Sequence, residues 1–370
     1  MLRKTIYMLL SIIVLTSSCD NFSKGKIEKK NKEEKENEEI TEESSKRLFP
    51  TAPEYYSDRG ITIYEDLVFA RYKPNDKEEF IRIEGGNVTV IKKVKEGFTQ
   101  YLSDGKIYCN THNKNQFIYD IQNDNIIEKR FYPKGTYLED IINGKVFYVK
   151  DGISDGHNGW DFYYNKKRIL RGVGDAYAVT KDAIYYVDFD WHREKYKYDT
   201  IKYYDLKTKD KKKLLKTEFL FTEAKKREKE WDYYLINNIK VFDDYIVYTV
   251  AIAGMKDKYN ETRIYVYNTV TGVNEMIDCP INDYLAFIYF TYCQGNIYFE
   301  CRESIYKYDT INGELTTITS ELRRPETFAY IFVFDNEYVY LLFNDSTDYP
   351  AGFYRIPCNG GELEPYFIFE

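Results

Sequence analysis

Histidine and tryptophan are rare in this sequence, and their positions give the first chemical signal. Only three of each occur in 370 residues. They are His112, His157 and His192, and Trp160, Trp191 and Trp231. An imidazole can bind a metal or exchange a proton near neutral pH, and an indole combines a large apolar ring with an N–H donor. These six residues are therefore the first candidates for a binding site.

Oxygen-rich loops surround several of these rings. Three segments stand out, and their sequences are DGISDGHNGWD from residue 151, DFDWHRE from residue 188 and NDSTDYPAG from residue 344. Aromatic faces beside carboxylates and amides suit sugar hydroxyls or a protein partner equally well. We therefore predict a ligand-binding set made of His112, His157, Trp160, Asp190, Trp191, His192, Trp231 and Tyr349.

Metal and catalytic alternatives are weaker. The loop at 151–161 could offer oxygen ligands to calcium, but it misses the EF-hand pattern: counted from Asp151, the third position is Ile153 and the twelfth is Phe162 in place of the terminal Glu. Zinc would require the three histidine loops to converge on one ion. The sequence has no HExxH, P-loop or GxGxxG motif. Its GxSxG match, GISDG at 152–156, lies between two predicted strands and not on the strand-to-helix turn that a nucleophile elbow needs, and no carboxylate pair is singled out for glycoside cleavage. We predict no catalytic residue, no metal site and no cofactor, and a binding module is favoured over an enzyme.

The elements that must position these loops form a repeat. Strand-like runs begin about 40 to 60 residues apart, which is close to the spacing of propeller blades. They are LVFARY, KIYCN, KVFYVK, AIYYVDF, YIVYTV, NIYFEC and YVYLLF, starting at residues 67, 106, 145, 183, 245, 296 and 338. A second alternating run follows each one after a loop, as in FIRIEGG from residue 80 and SIYKYDTINGE from residue 304. This order indicates antiparallel hairpins.

Seven such units predict an all-β fold, a β-propeller with seven four-stranded blades over residues 59–370. Six or eight blades, a β-sandwich or two smaller all-β domains are the alternatives. In a propeller the loops between strands 2 and 3 share one face with the links between blades. The six His and Trp residues then fall on that face, although rings that merely cap the blade ends would give the same pattern.

The repeats resemble secreted bacterial propellers of unknown function that are distantly akin to the receptor YWTD propellers. The similarity lies in Ile184-Tyr185-Tyr186 and Tyr203-Tyr204-Asp205-Leu206. The Gly-His and Trp-Asp pairs of WD repeats and the kelch double glycine do not recur from unit to unit: Gly-His occurs once, at 156–157, and Trp-Asp and Gly-Gly occur twice each. The resemblance implies the fold and no particular activity.

The N-terminus has the features of an export signal. Arg3 and Lys4 precede an apolar run from Ile6 to Leu15, which is shorter than the ~20 residues that a membrane span needs. An uncleaved anchor or a buried helix is the alternative. The segment Leu15-Thr16-Ser17-Ser18-Cys19 resembles a bacterial lipoprotein signal, with Thr16 where that family has an aliphatic residue. The resemblance implies cleavage after residue 18 and a diacylglycerol on Cys19.

A charged segment separates this signal from the repeats. Residues 20–48 carry almost no apolar side chains and cannot bury enough surface to fold, so 19–58 is predicted to be a disordered tether. The insertion at 220–235 is interpreted as a solvated loop or a short surface helix. Apart from Cys19, five cysteines remain, and we predict no structural disulfide framework.

The sequence thus predicts an exported protein that a lipid anchors to the outer face of the cytoplasmic membrane or to the cell envelope. Its formal net charge of −7 argues against a nucleic-acid partner. The expected partners are the membrane, through Cys19, and an envelope protein or glycan. The alternatives to a binding or scaffolding module are a hydrolase or lyase acting on glycans, and an envelope-protein assembly factor.

Overall fold

A computed structural model describes residues 47–58, 60–72, 78–94, 98–111, 116–152, 159–188, 200–217, 233–253, 260–279, 288–301, 304–319, 328–343 and 349–369. The chain divides into a larger compact unit, residues 51–83 with 88–370, and a smaller one, residues 1–50 with 84–87. Every regular element in the described ranges is a β-strand. No helix in those ranges has the length and apolar character needed to cross a membrane.

The strands form six antiparallel sheets in which sequence neighbours are also neighbours in space. The first two sheets are β1(Tyr55–Asp58) β2(Ile61–Tyr64) β3(Leu67–Tyr72) β4(Glu78–Glu84) β5(Asn87–Val94), and β6(Phe98–Ser103) β7(Lys106–Thr111) β8(Phe117–Asp120) β9(Asn125–Ile127). The third is β10(Tyr137–Ile142) β11(Lys145–Asp151) β12(Trp160–Tyr164) β13(Lys167–Val179) β14(Ala183–Asp188) β15(Thr200–Asp205) β16(Lys211–Lys216).

The remaining three sheets have four strands each. They are β17(Tyr233–Phe242) β18(Tyr245–Ala253) β19(Asn260–Asn268) β20(Asn274–Ile277), then β21(Tyr289–Cys293) β22(Asn296–Cys301) β23(Ser304–Asp309) β24(Glu314–Thr319), and β25(Phe328–Val333) β26(Tyr338–Phe343) β27(Gly352–Pro357) β28(Glu364–Ile368).

The long strand β13 explains how six sheets contain seven four-stranded units. Its first half, up to Val173, pairs with β12, and its second half, from Val173, pairs with β14. The same strand is therefore the fourth strand of unit 3 and the first strand of unit 4. The predicted all-β fold and its seven-unit repeat are confirmed. The first sheet has a fifth strand, so the first predicted run, LVFARY, is its third strand, β3, whereas the other six predicted runs are the second strands of their units.

Six hydrophobic clusters fill the spaces between consecutive units. Phe80 of unit 1 packs with Phe98 and Phe117 of unit 2, for example, and Ile246 of unit 5 packs with Ile201 of unit 4. Further clusters join units 2 and 3, 3 and 4, 5 and 6, and 6 and 7. Alternation along each strand sends side chains to both faces of its sheet, so every inner unit contributes to two interfaces, as in other stacked repeats.

Side chains also join the first sheet to the last. The Tyr56 ring lies 5.2 Å from that of Phe334, and the Tyr72 ring lies 5.1 Å from that of Phe369. Tyr56 belongs to β1, so the first sheet begins at Tyr55, four residues before the boundary expected at residue 59. These contacts close the β-propeller, because the first sheet packs against the last.

Candidate ligand-binding site

Two of the eight predicted site residues, Trp160 and Tyr349, lie within the described part of the chain. The other six lie outside it, namely His112, His157, Asp190, Trp191, His192 and Trp231. Cys19 and most of the 220–235 insertion also lie outside the described ranges. The prediction for those positions therefore stays a prediction.

Strand direction places the predicted loops at one end of the sheets. The first and third strands of a unit run the same way, so both start at the same end. We call this the connection end, because the links between units and the loops between second and third strands both lie there. Trp160 is the first residue of β12, and Tyr349 precedes β27. Strands β12 and β27 are the third strands of units 3 and 7. Both residues therefore lie at the connection end of their own units.

Trp160 belongs to a polar and aromatic group at the connection end of unit 3. Its Nε1 donates a hydrogen bond of 2.7 Å to Asp175 Oδ1. The ring meets Tyr137 edge to face, with centroids 5.6 Å apart. Tyr137 is 55% exposed, and Asp175 is also exposed. We call Tyr137, Trp160 and Asp175 the unit 3 triplet.

The local chain path explains how the unit 3 triplet forms. Tyr137 starts β10 and Trp160 starts β12, so both rings emerge at the same end of one sheet. Asp175 lies just after the point where β13 leaves β12 and turns towards β14, and the register shifts between Val173 and Tyr177. Such an irregularity re-aims a side chain that a regular ladder would hold along the sheet normal.

Tyr349 has a different environment. Its ring stacks on Phe343 with centroids 5.0 Å apart and meets Tyr354 edge to face at 5.6 Å. It packs against the cluster between units 6 and 7 and is half-buried. Its main visible contribution is therefore packing at the connection end of unit 7, on a different sheet from the unit 3 triplet.

The neighbouring link between units 2 and 3 is held by hydrogen bonds. Gln116 Oε1 accepts from the backbone N–H of Phe131 at 2.9 Å, and the Tyr132 hydroxyl donates to Asn110 Oδ1. Burial raises the pKa of Tyr132 to about 12, so the phenol stays protonated and able to donate at neutral pH. This link leads directly to Tyr137, so its fixed path helps to orient that ring.

A cavity of about 320 Å³ lies among the first strands. It is lined by residues 57, 100–102, 139, 140, 177–180 and 239–241, which belong to units 1 to 5. Gln100 is fully buried in its wall, where Nε2 donates to the Phe69 carbonyl at 3.0 Å. The lining comes from the middle and later parts of these strands, so the cavity lies away from their starting end.

Two carboxyl groups of unit 2, outside the unit 3 triplet and the cavity, have pKa values that lysine side chains lower. Hydrogen bonds from Lys106 and Lys92 lower the pKa of Asp120 and Glu128, respectively. A general acid needs a raised pKa instead. Among the residues that the structure describes, no group of three or more His, Cys, Asp and Glu side chains is placed to hold a metal ion.

Sequence reasoning found Trp160 but missed Tyr137, Asp175 and the cavity. Tyr137 is one of 39 tyrosines, so its residue type carried little information. Asp175 interrupts the run GVGDAYAV, and a lone acid inside a strand pattern was the available signal. The cavity gathers residues from five units, and no local pattern marks it.

Comparison with known proteins supports the fold described above. No family model and no curated sequence matches the chain. A prolyl endopeptidase structure is similar over 89% of this chain and 51% of its own, with a TM-score of 0.52 and 9% identity. This chain therefore spans about half of that protein. The similarity at this identity shows a β-propeller fold and nothing about activity.

Two further solved structures are similar at lower scores. Oligogalacturonate lyase from Vibrio parahaemolyticus aligns with 80% of this chain and 89% of its own, at 9% identity and a TM-score of 0.48. BamB from Moraxella catarrhalis aligns with 84% and 88%, at 11% identity and a TM-score of 0.44. The class of protein, an all-β propeller, follows from the sheets themselves and from the similarity to the prolyl endopeptidase structure.

Proposed function

We propose that this protein is a lipid-tethered, extracytoplasmic propeller that binds a glycan or protein ligand at its connection end. The unit 3 triplet carries the proposal. It combines an exposed phenol ring, an indole ring and an exposed carboxylate at the end where the remaining predicted site residues would lie.

The chemistry of the unit 3 triplet favours a glycan. Two aromatic rings at right angles offer a face and an edge to the apolar side of a sugar ring. The Asp175 carboxylate accepts from Trp160 through Oδ1 and has further lone pairs that can accept from a hydroxyl. Because the same hydrogen bond restrains the indole, less side-chain entropy is lost when a ligand binds.

A binding role suits these residues better than glycoside cleavage. Cleavage requires two carboxyl groups on either side of the scissile bond, one of them with a raised pKa. Asp175 already accepts a hydrogen bond from the Trp160 indole, and no second carboxyl group belongs to the unit 3 triplet. The glycan-acting enzyme and the envelope assembly factor remain as alternatives that the binding experiment separates.

Fluorescence of a single tryptophan tests the proposed site. The variant Trp191→Phe/Trp231→Phe leaves Trp160 as the sole indole of the chain. We expect acrylamide to quench its emission, and we expect N-acetylglucosamine oligosaccharides or peptidoglycan fragments to protect it. Peptides are titrated in parallel, and product analysis detects any cleavage of the saccharides.

Each outcome separates one hypothesis from the others. Protection by saccharides without cleavage supports the binding module, whereas cleavage products support the enzyme. Protection by peptides alone moves the proposal to a protein ligand. Because Trp191 and Trp231 belong to the predicted binding set, the wild type is titrated with the same probes. Failure of every probe to change the emission or the quenching in both proteins would contradict a site at this position.

The tether is tested separately by fatty-acid labelling in cells. We expect the full chain to incorporate a labelled fatty acid and to sediment with membranes, because Cys19 would carry the lipid. The Cys19→Ser variant should incorporate no label. Labelling that persists in this variant would contradict lipidation at Cys19.

A further inference from the structure

Two cysteines from neighbouring units meet at the interface between units 5 and 6. The side chains of Cys279 and Cys301 are hydrogen-bonded to each other. Both belong to the hydrophobic cluster that joins the two units, where Cys301 is 4% exposed and Cys279 is partly buried. Contact between two thiols from separate elements is not explained by packing alone, because an alkyl side chain would fill the same space.

The chain path allows one of the two sulfurs to move. Cys301 is the last residue of β22 and pairs with Ser304 of β23, so its backbone is fixed. Cys279 lies two residues after β20, in the link that leads to unit 6, and its N–H donates to the Ile277 carbonyl at 2.9 Å. Because Cys279 is outside the strand ladder, the adjustment needed to bring the two sulfurs to the ~2 Å of a disulfide would fall on the link and not on a sheet.

We propose that Cys279 and Cys301 form a disulfide that fixes the link between units 5 and 6 to the second strand of unit 6. The oxidant is a small-molecule disulfide or a disulfide-bearing oxidoreductase. One thiolate of the pair attacks the oxidant's disulfide, which forms a mixed disulfide and releases the first thiol of the oxidant. The second cysteine then attacks the protein sulfur of the mixed disulfide, which forms the Cys279–Cys301 bond and releases the second thiol of the oxidant. The protein loses two hydrogens and two electrons, and the oxidant is reduced to two thiols.

The environment of the pair sets the expected rate. The neighbouring Cys301 thiol and burial raise the pKa of Cys279 above its ordinary value. Thiolate is the attacking form, so bridging should be slow at neutral pH and faster in alkaline solution. In the cell, formation of the bridge rests on the proposed export, because cytoplasmic reductants keep thiols reduced.

The other body cysteines supply matched controls. Cys293 and Cys358 also share a cluster, between units 6 and 7, where Cys358 bonds to the Tyr298 hydroxyl as Cys279 bonds to that of Tyr306. What distinguishes Cys279 and Cys301 is the hydrogen bond between the two thiols themselves. Cys109 is fully buried between units 1 and 2 among aromatic rings. We expect these three thiols to stay reduced under conditions that oxidise the Cys279–Cys301 pair.

Thiol counting and peptide mapping test the proposal on the full chain carrying Cys19→Ser. Five thiols should react after denaturation of the reduced protein. After incubation with oxidised glutathione at about pH 8.5, near the ordinary thiol pKa, three should react, and mapping should recover a peptide linked through residues 279 and 301. Reduction should then lower the melting temperature by about 5 °C.

Two variants and one measurement in cells make the outcomes distinct. Cys279→Ser should keep four reactive thiols before and after oxidation, whereas Cys358→Ser should fall from four to two. A constant five thiols, glutathione left on Cys279, or a bridge at Cys293–Cys358 would overturn the proposal. If the purified protein forms the bridge but alkylation in intact cells traps both thiols, the pair stands and the proposed export is contradicted.

Discussion

At the residue scale, one turn recurs in three successive units and shows how side chains replace missing backbone partners. Asp205, Asn268 and Asp309 each end the third strand of their unit. The Oδ1 atom of each accepts hydrogen bonds from the second and third N–H groups that follow, at 2.7 to 3.1 Å. These contacts close the hairpin to the fourth strand, as Asx turns do.

The charged members of this set make the stability depend on acid pH. Backbone N–H donors lower the pKa of Asp309 below its ordinary value of 3.8. The unfolded chain therefore binds more protons near that pH, and the free energy of unfolding falls as pH decreases through 3.8 towards the lower folded-state pKa. We expect thermal unfolding at pH 2 to 5 to show this loss.

The variant Asp309→Asn tests the cause, because Asn268 shows that an amide makes the same turn. The exchange should flatten the acid dependence of the melting temperature while changing stability at pH 7 by less than about 1 kcal/mol. Asp309→Ala, which has no acceptor, should lower stability at pH 7 by about 1 kcal/mol. Equal acid dependence in the wild type and Asp309→Asn would contradict this explanation.

Residue type alone identified part of the candidate site. Trp160 was predictable because tryptophan is rare and its loop is rich in oxygen ligands. Its partners were not predictable, because the bond to Asp175 depends on where β13 passes from one unit to the next. A side-chain direction set by a register shift has no counterpart in local composition.

At the element scale, stability comes from aromatic rings that interlock between adjacent sheets. Phe80 is fully buried, and its ring lies 5.8 Å from those of Phe98 and Phe117 in the next unit. It also stacks on Phe69 of its own unit at 5.9 Å. Truncation would leave a cavity that three rigid rings cannot close.

We therefore expect Phe80→Ala to lower the free energy of unfolding by about 4 kcal/mol. Denaturant titration measures the change, and Ile127→Ala is the control because Ile127 lies in unit 2 but is 37% exposed. The control should change stability by less than about 1 kcal/mol. Similar losses in both variants would show that the interface between units 1 and 2 is not a principal source of stability.

The strands themselves were largely predictable. Alternation of Tyr, Ile and Val with polar residues, as in KVFYVK and AIYYVDF, located β3 in the first sheet and the second strand of each of the other six units. The sequence did not show that β13 serves two units, because the GVGD segment of KRILRGVGDAYAV could mark either a turn or an irregularity within one strand. Strand β1 was also missed, since YYSD follows a charged segment and its pairing with β2 is a tertiary event.

At the scale of the whole molecule, the contact between the first and last sheets requires a small residue at one point. A Cβ on Gly60 would lie 1.9 Å from Tyr330 Cε2. Tyr330 belongs to β25 of the last sheet and also hydrogen-bonds with Arg71 of the first. Gly60 therefore allows the two sheets to approach closely.

A double-mutant cycle tests this contact. Gly60→Ala should lower the free energy of unfolding by about 2 kcal/mol in the wild type because of the clash. In a Tyr330→Ala background, which lacks the ring, Gly60→Ala should lower the free energy of unfolding by clearly less. Equal costs in both backgrounds would show that the clash does not control the approach of the sheets.

The central claim is that ligand binds at the connection end through the unit 3 triplet. Calorimetric titration with the saccharides used in the fluorescence test measures this directly, for the wild type, Trp160→Ala and Tyr289→Ala. Tyr289 is the control because it starts β21 at the same end of unit 6 and is 47% exposed. We predict that Trp160→Ala weakens binding at least about tenfold, or about 1.4 kcal/mol, and that Tyr289→Ala binds like the wild type. Unchanged affinity in a folded Trp160→Ala protein would contradict the claim.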